Sequence, residues 1–430
     1  MNTKRFLTEN IYDEGGLAGH MDYFYGYMEL TFVEISELID DLFNARVEHV
    51  TEKLDGQNIF VTMNQNGEIR FGRNNKDLET GGFERDYIFT KWADNEGVQT
   101  LYSTAYDTFS DCLRGISPEF FIVKGANAQI WMNCEVINSA NPNVIPYSEN
   151  KVSIHGLIAY EIGTNNVVDI PDYDEKMDIL KSHLETTQSQ HGKAQITPEV
   201  ALSIVKESQQ LNQEFKKELN DVVMMVEGGY PSMTIADWKR VRQKKIMAKY
   251  GYGELFELGE LTPILVRRMI DGVKPKEHPE CSSVSIKKWL IANVPDKNKA
   301  AELYALVNDK YKVDKKIIEK ETMEPLEDFS VKLGTSVIEM VTGYDNESRK
   351  SEVIDSMINN LNIKVATIRM NPGDTDSYNK MMIQLKKLEA AGNKINAVEG
   401  IVFNWRGRTM KLTGCFAPLN QIMGIGKYGR

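Results

Sequence analysis

Strand-like sequence occurs in two blocks that lie far apart in the chain, and this arrangement limits the possible folds. Between about Val50 and Gly163, short runs such as QIWMNCEVI are rich in β-branched and aromatic residues. From about Asp174 to Ala391 the apolar residues have helical spacing, and strand-like sequence returns at Ala397 in AVEGIVFNWRGRTMKLTGCF. Because strands and helices do not alternate, a doubly wound parallel sheet is disfavoured. We predict an α+β fold whose antiparallel or mixed sheet is interrupted by a helical insertion and completed near the C-terminus.

The length of the chain is compatible with more than one domain. Its 430 residues allow two or three domains, or one elaborated domain with a large insertion. The changes in sequence character predict three segments. Residues 1–172 would contain the first strands, residues 173–394 the helical insertion, and residues 395–430 the strands that complete the sheet.

Composition and charge exclude several classes of protein. The formal net charge of -11 argues against a protein that holds nucleic acid by overall positive potential, so such contact requires a local basic patch. The four cysteines lack C-x-x-C spacing, which gives no zinc signature and favours a reducing compartment. The N-terminal MNTKRFLTEN lacks the apolar core of a signal peptide, and no stretch of about 18 apolar residues follows. We therefore expect a cytoplasmic protein without a membrane partner.

The stretch TEKLDGQN places a lysine, Lys53, among acids at the start of a predicted β-hairpin formed by NIFVTM and EIRFGR. One interpretation is a solvated charge group in which Glu52 and Asp55 pair with the lysine. The other is a nucleophilic amine, which needs a lowered pKa and groups that stabilise developing charge. Arg73 ends the second hairpin strand, so its guanidinium could return to the lysine and bind phosphate or ribose, or it could lie on the surface.

Two further regions carry ionisable residues in apolar surroundings. Glu135 lies in WMNCEVI, on the strand face opposite to that of Cys134 and Val136. A carboxylate in such a strand is costly unless it is paired or lies in a cleft, so Glu135 is either a site residue or part of an exposed edge. Near the C-terminus, Glu399 in AVEGIVF and Lys411 in RTMKLTG belong to two predicted strands joined by a polar turn.

The order of these residues resembles the motifs of the covalent nucleotidyltransferase superfamily of ATP-dependent DNA ligases, RNA ligases and mRNA capping enzymes. EKLDG is similar to motif I, FGRNN to the following arginine element, NCEVI to motif III, EGIVF to motif IV and MKL to motif V. HGLIAYEIG resembles the element beside the adenine, and NCEVINSANPNVIPY is most similar to phage-type RNA ligases that repair broken tRNA. The resemblance covers approximately residues 50–165 and 395–415. It implies a ligase-type nucleotidyltransferase fold with ATP-grasp-like antiparallel sheets and flanking helices.

The resemblance also implies a role for each residue. Lys53 would attack the α-phosphorus of ATP and hold AMP as a phosphoramidate, while Lys411 would contact the α-phosphate. Glu399 and Glu135 would position Mg²⁺ or Mn²⁺, or the ribose hydroxyls. Asp55 and Arg73 would orient the ribose and the lysine strand. The residues implied around the adenine are Glu52, Leu54, Gly56 and Leu157, with His155 as the alternative to Leu157.

The implied function is the ATP-dependent joining of polynucleotides, RNA in preference to DNA. AMP would pass to a 5′-phosphate end, and an incoming 3′-hydroxyl would displace it. A phage-encoded enzyme acting in the host cytoplasm is one setting for such a protein. Two alternatives stay open. One is a ligase-like nucleic-acid-binding or scaffold protein without turnover, favoured by the single lysine of MKL where many ligases have K-x-K; the other is a capping or protein-modifying nucleotidyltransferase that does not join strands.

A basic segment lies within the predicted helical insertion. In WKRVRQKKIMAK, an aromatic residue, Trp238, stands beside several cations and could stack on a base. The residues predicted to contact a phosphate backbone are Lys239, Arg240, Arg242, Lys244 and Lys245. At helical spacing they do not all share one face, so a solvated helix is the alternative interpretation.

Overall fold

The structure is a computed structural model that describes most of the chain. The described residues are 22–139, 144–147, 150–164, 166–188, 195–198, 203–204, 208–342, 350–371, 373–390, 392 and 395–425. The N-terminal MNTKRFLTEN, in which we expect no signal peptide, lies outside these ranges.

The strands form mainly antiparallel sheets, which together with the helices confirms the predicted α+β class. The strands of the described residues are, in chain order, β1 (Glu48–Lys53), β2 (Gln57–Met63), β3 (Ile69–Gly72), β4 (Ile122–Val123), β5 (Ala128–Ile137), β6 (Lys151–Glu161), β7 (Val167–Val168), β8 (Gln195–Pro198), β9 (Ser203–Ile204), β10 (Val341–Thr342), β11 (Gly400–Trp405) and β12 (Arg408–Leu412). Two sheets matter for the site: β1-β11-β12, the small sheet, and β3-β2-β5-β6-β7, the large sheet. Strand β4 also pairs with β5, and β8 pairs in parallel with β6.

Helices fill most of the region between the two strand blocks. The α-helices of the described residues are α1 (Phe32–Phe43), α2 (Asn75–Glu79), α3 (Arg85–Lys91), α4 (Glu96–Cys112), α5 (Tyr173–Gln188), α6 (Gln209–Val223), α7 (Ile235–Lys249), α8 (Leu261–Met269), α9 (Ser283–Asn293), α10 (Lys297–Ala305), α11 (Tyr311–Ile338), α12 (Lys350–Arg369), α13 (Thr375–Ala390) and α14 (Phe416–Gly424). A π-helical turn, Leu306–Lys310, joins α10 to α11. In this described part of the chain, no helix has the length and apolar character needed to span a membrane.

The small sheet joins the two strand blocks of the sequence. Strand β1 comes from the first block, and it pairs antiparallel with β11 from the last block, which in turn pairs with β12. The C-terminal strands thus return to the first strand block as expected, but only β1 pairs with them; β2 to β7 form the separate large sheet, where one interrupted sheet was predicted. Strands β11 and β12 are connected by Arg406 and Gly407, whose φ angles of 51° and 77° are those of a tight hairpin turn that matches the twist of the strands.

The large sheet contains the predicted hairpin and the apolar core of the first strand block. Strands β2 and β3 pair antiparallel, as expected from their sequence. One face of this sheet packs against α4 and α5, because alternate residues of β2, β5 and β6 are apolar. The side chains of this core include Ile59, Val61, Phe71, Phe109, Met132, Cys134, Val136, Ile154, Leu157 and Leu180.

The first strand-like block also contains three helices that its overall character does not predict. Helix α4 is the longest of them, and its buried residues include Leu101, Tyr102, Ala105 and Phe109. These positions follow helical spacing, so the signal was present in the sequence. Asn95 begins the helix by accepting a hydrogen bond from the backbone N–H of Val98 at 3.1 Å.

The chain divides into two compact units. The first comprises Met1–Asp22, Ala45–Lys206 and Val331–Arg430, and the second comprises Tyr23–Asn44 and Glu207–Ser330. These bounds differ from the predicted segments 1–172, 173–394 and 395–430. Helices α5, α12 and α13, predicted as part of the insertion, belong to the unit that contains the sheets, whereas α1 belongs to the second unit. The second unit has its own apolar core, built from α7 to α11.

Candidate active site

Lys53 is the last residue of β1 and lies on the same face of the small sheet as Lys411. In the strand register Lys53 is opposite Gly400, while Thr51 is opposite Val402, which is in turn opposite Lys411. Residues paired across a sheet share a face, and so do residues two apart on one strand. The sheet therefore brings the two predicted lysines together.

Glu399, immediately before β11, is the carboxylate partner of Lys53. Its Oε1 accepts a short hydrogen bond from Lys53 Nζ, and the side chains of the lysine and the glutamate are only 22% and 13% exposed. The two residues are 346 positions apart in sequence. This pair exists because β11 returns to β1, so no local charge pattern could have revealed it.

Gly400 permits the strand pairing that places Glu399 beside Lys53. A Cβ atom at this position would lie 2.2 Å from the carbonyl oxygen of Leu412 and 2.8 Å from the Cα of Thr413. Both are backbone atoms, so a side chain would force β11 and β12 apart. The glycine of the EGIVF stretch is therefore required by the small sheet itself.

Burial changes the proton affinities of these groups. It raises the pKa of Glu399 to about 7; Lys53 opposes this rise, and the negative charges of Asp55 and Glu135 add to it. Burial also lowers the pKa of Lys411, and the positive charge of Lys53 lowers it further. These five residues, which we call the Lys53 cluster, thus hold two amines and three carboxylates in a region where charges interact more strongly than in bulk water.

The turn from β1 to β2 is held by hydrogen bonds to residues 144–147. The Oδ2 of Asp55 accepts from the backbone N–H groups of Val144 at 2.7 Å and Ile145 at 2.8 Å. In return, the backbone N–H of Asp55 donates to the Oη of Tyr147 at 3.0 Å. Tyr147 is not among the predicted site residues, although it ends the NVIPY stretch that follows motif III.

Glu135 reaches the same turn from β5 in the large sheet. Its Oε1 accepts from the backbone N–H of Gly56 at 3.0 Å. A Cβ at Gly56 would lie 2.8 Å from Glu135 Cγ and 2.7 Å from the carbonyl oxygen of Val136, so a glycine is needed for this approach. As predicted, the side chains of Cys134 and Val136 point the other way, into the apolar core.

The structure distinguishes Leu157 from His155, the two alternatives for the residue that would cover the adenine. The pairing of β5 with β6 shifts register between Asn133 and Cys134, which leaves His155 as an extra residue in β6. The Nε2 of His155 lies 3.9 Å from Oε2 of Glu135. Leu157 instead packs in the apolar core on the face that contacts the helices. Of these two candidates, His155 is the one that lies with the Lys53 cluster.

The other predicted adenine residues lie in buried positions beside Lys53. Glu52 is opposite Ile401 in the register, so its side chain leaves the sheet on the face opposite to that of Lys53, and it is 7% exposed. Leu54 is equally buried. Burial and, next, the charge of Glu52 raise the pKa of Tyr147, which indicates that Glu52 lies near this phenol.

Arg73 follows β3, and the hairpin returns it to the strand position that pairs with Glu135. Its guanidinium donates a short hydrogen bond to the carbonyl oxygen of Asn58, which is opposite Glu135 in the register. The guanidinium also lies 5.8 Å from the ring centre of Tyr102. Burial raises the pKa of Tyr102, with Arg73 opposing and Glu135 adding to the effect. Neither Tyr102 nor Asp77, which accepts from the N–H of Arg73 at 2.9 Å, was anticipated.

The basic segment forms α7 in the second unit, where its arginines have internal partners. Arg240 makes ion pairs with Asp237 at 3.1 Å and Asp271 at 3.0 Å. Arg242 donates to the backbone carbonyl oxygens of Thr322 at 3.0 Å and Glu321 at 3.3 Å. Two of the five cations predicted to contact phosphates therefore already have partners within the second unit.

A proline explains the position of Arg242. Pro325 lies inside α11, and because proline has no N–H it cannot donate to the carbonyl oxygen of Glu321, four residues earlier. Arg242 supplies a donor to that carbonyl group. Trp238 is fully buried and its Nε1 donates to the carbonyl oxygen of Val222 at 3.0 Å, so it offers no surface on which a base could stack. Lys245 is exposed, whereas Lys239 and Lys244 are partly buried.

Within the described residues, no group of three or more histidine, cysteine, aspartate or glutamate side chains is placed to hold a metal ion. In comparisons with protein-family models, with curated proteins and with solved structures, no match to this chain is found.

Proposed function

We propose that this protein is an ATP-dependent polynucleotide ligase that forms a covalent lysyl-AMP on Lys53. The observation that carries the proposal is the Lys53 cluster, in which Lys411 shares a sheet face with Lys53 and Glu399 contacts its amine. Buried charges are costly, and like charges near one another are more so. A group of buried, mutually perturbed ionisable residues is typical of a catalytic site.

In the proposed first step, the neutral amine of Lys53 attacks the α-phosphorus of ATP. An N–P bond forms, the bond from the α-phosphorus to the pyrophosphate oxygen breaks, and the amine loses its proton to solvent. An ammonium ion cannot attack because it has no lone pair. The positive charge of Lys411, on the same sheet face, would stabilise charge that develops on the α-phosphate.

The side chains of the site suit a nucleotide and a divalent cation. Arg73 presents a planar cation that matches the geometry of phosphate or ribose oxygens. Glu399 and Glu135 provide carboxylate oxygens, the ligand type that Mg²⁺ and Mn²⁺ take. A bound cation would offset the negative charge of the phosphates. His155, 3.9 Å from Glu135, is positioned to contact the nucleoside.

Two further steps complete the proposed reaction. A 5′-phosphate oxygen attacks the phosphorus of lysyl-AMP, which breaks the N–P bond and gives an adenylylated end. A 3′-hydroxyl then attacks the 5′-phosphorus, forms the phosphodiester bond and releases AMP. The preference for RNA is supported by the likeness of NCEVINSANPNVIPY to phage-type RNA ligases. The two antiparallel sheets around Lys53 support a ligase-type nucleotidyltransferase fold.

A second candidate is nucleotidyl transfer to an acceptor other than a polynucleotide end. The observation that favours it is the state of α7, where Arg240 and Arg242 have protein partners and Trp238 is buried. This candidate keeps the first step and the same nucleophile, and differs only in where AMP or GMP goes.

The first test is incubation of the protein with Mg²⁺ and α-labelled ATP or GTP. We expect acid-stable label from ATP on the wild-type chain and none on Lys53→Arg, which keeps the positive charge beside Glu399 but removes the amine nucleophile. Lys124→Arg is the matched control, since Lys124 is an exposed lysine in the same unit. If neither ATP nor GTP labels the protein, both enzymatic candidates are ruled out.

The second test follows the label onward. Labelled protein is chased with 5′-phosphorylated RNA or DNA that carries a 3′-hydroxyl end, and the products are separated by gel. Adenylylated and then sealed RNA supports the ligase. If the labelled nucleotide is transferred neither to RNA nor to DNA, but is transferred to a cap or to a protein acceptor, the second candidate is supported instead.

A further inference from the structure

The turn between Lys53 and β2 is fixed by a reciprocal set of hydrogen bonds. The N–H of Asp55 donates to the Oη of Tyr147, and the Asp55 carboxylate accepts from the N–H groups of Val144 and Ile145. The next N–H, that of Gly56, donates to Glu135. Two consecutive backbone donors are thus each held by a side chain, which leaves this turn little freedom to rotate.

The segment that holds the turn is itself anchored in an apolar cluster of the first unit. Val144 and Ile145 are 6% and 1% exposed, and the ring of Tyr147 packs beside them. The other main members of this cluster are Met357 of α12 and Phe416 and Leu419 of α14. Packing of its ring in this cluster therefore fixes the position of the Tyr147 hydroxyl. Side chains that position functional groups are usually held by packing of this kind.

The chemical surroundings of Tyr147 suit a hydrogen-bonding role. Burial and the negative charges of Glu52, Asp55 and Glu399 raise the pKa of its phenol, so the hydroxyl stays neutral near pH 7. A neutral hydroxyl can accept from the N–H of Asp55 and keeps one hydrogen to donate. A carboxylate in place of this hydroxyl could also accept from the N–H of Asp55, but it would place a fourth negative charge beside three carboxylates.

We propose that Tyr147 is a positioning residue for the nucleophile: by accepting the Asp55 N–H, it fixes the turn that sets where Lys53 Nζ points. This inference rests on the proposed function, because it assigns Tyr147 a part in nucleotidyl transfer to Lys53. Tyr147 acts through the backbone of the turn, two residues after the nucleophile.

The test compares wild-type protein with Tyr147→Phe, which keeps the ring in its apolar cluster and removes only the oxygen. Tyr106→Phe is the matched control, because Tyr106 also bonds to the backbone of the first unit, donating to the carbonyl oxygen of Ile69 at 2.7 Å. Single-turnover formation of the acid-stable label is measured over a range of α-labelled ATP concentrations. Hydrogen exchange of the peptide that contains Asp55 is measured by mass spectrometry.

We expect Tyr147→Phe to lower the maximal rate about fivefold to tenfold, the factor that one hydrogen bond typically contributes. The ATP concentration for half-maximal rate should stay within about twofold, because the bond positions Lys53 rather than the nucleotide. The Asp55 amide should exchange at least about tenfold faster. Tyr106→Phe should match wild type in all three measurements.

The outcomes separate this inference from the proposed function. If wild type is labelled and Tyr147→Phe is labelled at the same rate, the positioning role is overturned and the proposed function stands. A loss confined to ATP affinity, with the maximal rate unchanged, also overturns it. If wild type takes no label with Mg²⁺ and ATP, both fail, and exchange at Asp55 then reports only on the stability of the turn.

Discussion

Charged residues are concentrated in helix α7 and in the Lys53 cluster, and these two regions differ in how far the charges are neutralised by partners. In α7, a basic run that is obvious in the sequence is balanced by partners: Arg240 pairs with two aspartates and Arg242 binds backbone carbonyl oxygens. In the Lys53 cluster, residues scattered over the chain are gathered so that amines lie near amines and carboxylates near carboxylates. The charges of α7 are balanced by structural partners, whereas the Lys53 cluster keeps like charges close together in addition to its Lys53–Glu399 ion pair.

A structural charge differs from a functional one in how its surroundings change its energy. A structural charge is placed where its partner lowers its energy, as Arg242 is placed at the carbonyl group that Pro325 leaves without a donor. In the Lys53 cluster the pKa of Glu399 rises and that of Lys411 falls, which means that the ionised forms are disfavoured by their surroundings. Residues kept in unfavourable ionisation states are candidates for chemistry.

The largest expected effect is that of Lys411→Met. Removing the cation should slow label transfer from ATP to Lys53 by about a hundredfold to a thousandfold, the range seen when one preorganised stabilising group is lost. Thermal stability at pH 7 should rise, because burial lowers the pKa of Lys411 and its charged form is therefore disfavoured in the folded state. The measurements are single-turnover labelling and the melting temperature.

The sign of the stability change can be checked with pH. A lysine whose folded pKa lies below its unfolded value penalises folding while it is charged, and the penalty fades as pH rises toward the unfolded pKa of about 10.4. The advantage of Lys411→Met over wild type should therefore shrink between neutral and alkaline pH. Lys245→Met, at an exposed position of α7, is the control and should leave both labelling and melting unchanged. A destabilised Lys411→Met would place this lysine among the structural charges.

The next effect is that of Gly400→Ala. A Cβ at this position would lie 2.2 Å from the carbonyl oxygen of Leu412, so we expect the free energy of unfolding to fall by about 3 kcal/mol and labelling to slow, though less than in Lys411→Met, as the sheet register is disturbed. Gly424→Ala is the matched control, because a Cβ there meets no atom within 4 Å. It should change stability by less than about 1 kcal/mol. Urea denaturation followed by circular dichroism measures both.

Part of this fold can be predicted from local sequence. The hairpin β2–β3, the long strands β5 and β6, and the C-terminal hairpin β11–β12 all follow from local apolar patterns and turn residues. Helix α4 lies among strand-like runs, and only the helical spacing of its apolar residues distinguishes it from them. The bounds of the two units could not be predicted, because assignment of α1 or α12 to a unit depends on tertiary packing rather than on local sequence.

The site was predictable to a similar extent. The motif order predicts that Lys53, Glu399 and Lys411 lie close together, and the small sheet does bring them together; their chemical role stays a proposal. Leu157 and His155 could not be ranked from sequence, because a register shift in β6 decides which of them faces Glu135. Tyr147 is not predictable from sequence for another reason: its proposed role depends on one hydrogen bond to a turn 92 residues earlier in the chain.

A smaller effect, on the other side of the comparison, is expected for Arg242→Met. The carbonyl oxygens of Glu321 and Thr322 lose a charged donor, so the free energy of unfolding should fall by about 2 kcal/mol while labelling of Lys53 stays unchanged. Adding Pro325→Ala should recover about 1 kcal/mol, since the alanine N–H at position 325 can donate to the carbonyl oxygen of Glu321. If the double variant does not recover this part of the free energy of unfolding, the explanation of Arg242 as a donor to the carbonyl group of Glu321 is wrong.

The smallest effect is expected for Arg240→Gln, and it tests the contrast most directly. Arg240 and its partners Asp237 and Asp271 are partly exposed, so loss of the two ion pairs should reduce the free energy of unfolding by only about 0.5 kcal/mol. The difference from wild type should nearly vanish in about 1 M salt, because exposed ion pairs are screened. Affinity for 5′-phosphorylated RNA, measured by fluorescence anisotropy, should stay unchanged. We expect no change because the charge of Arg240 is already neutralised by partners within the fold. A tenfold loss of RNA affinity at constant stability would instead show that α7 is a phosphate-binding surface.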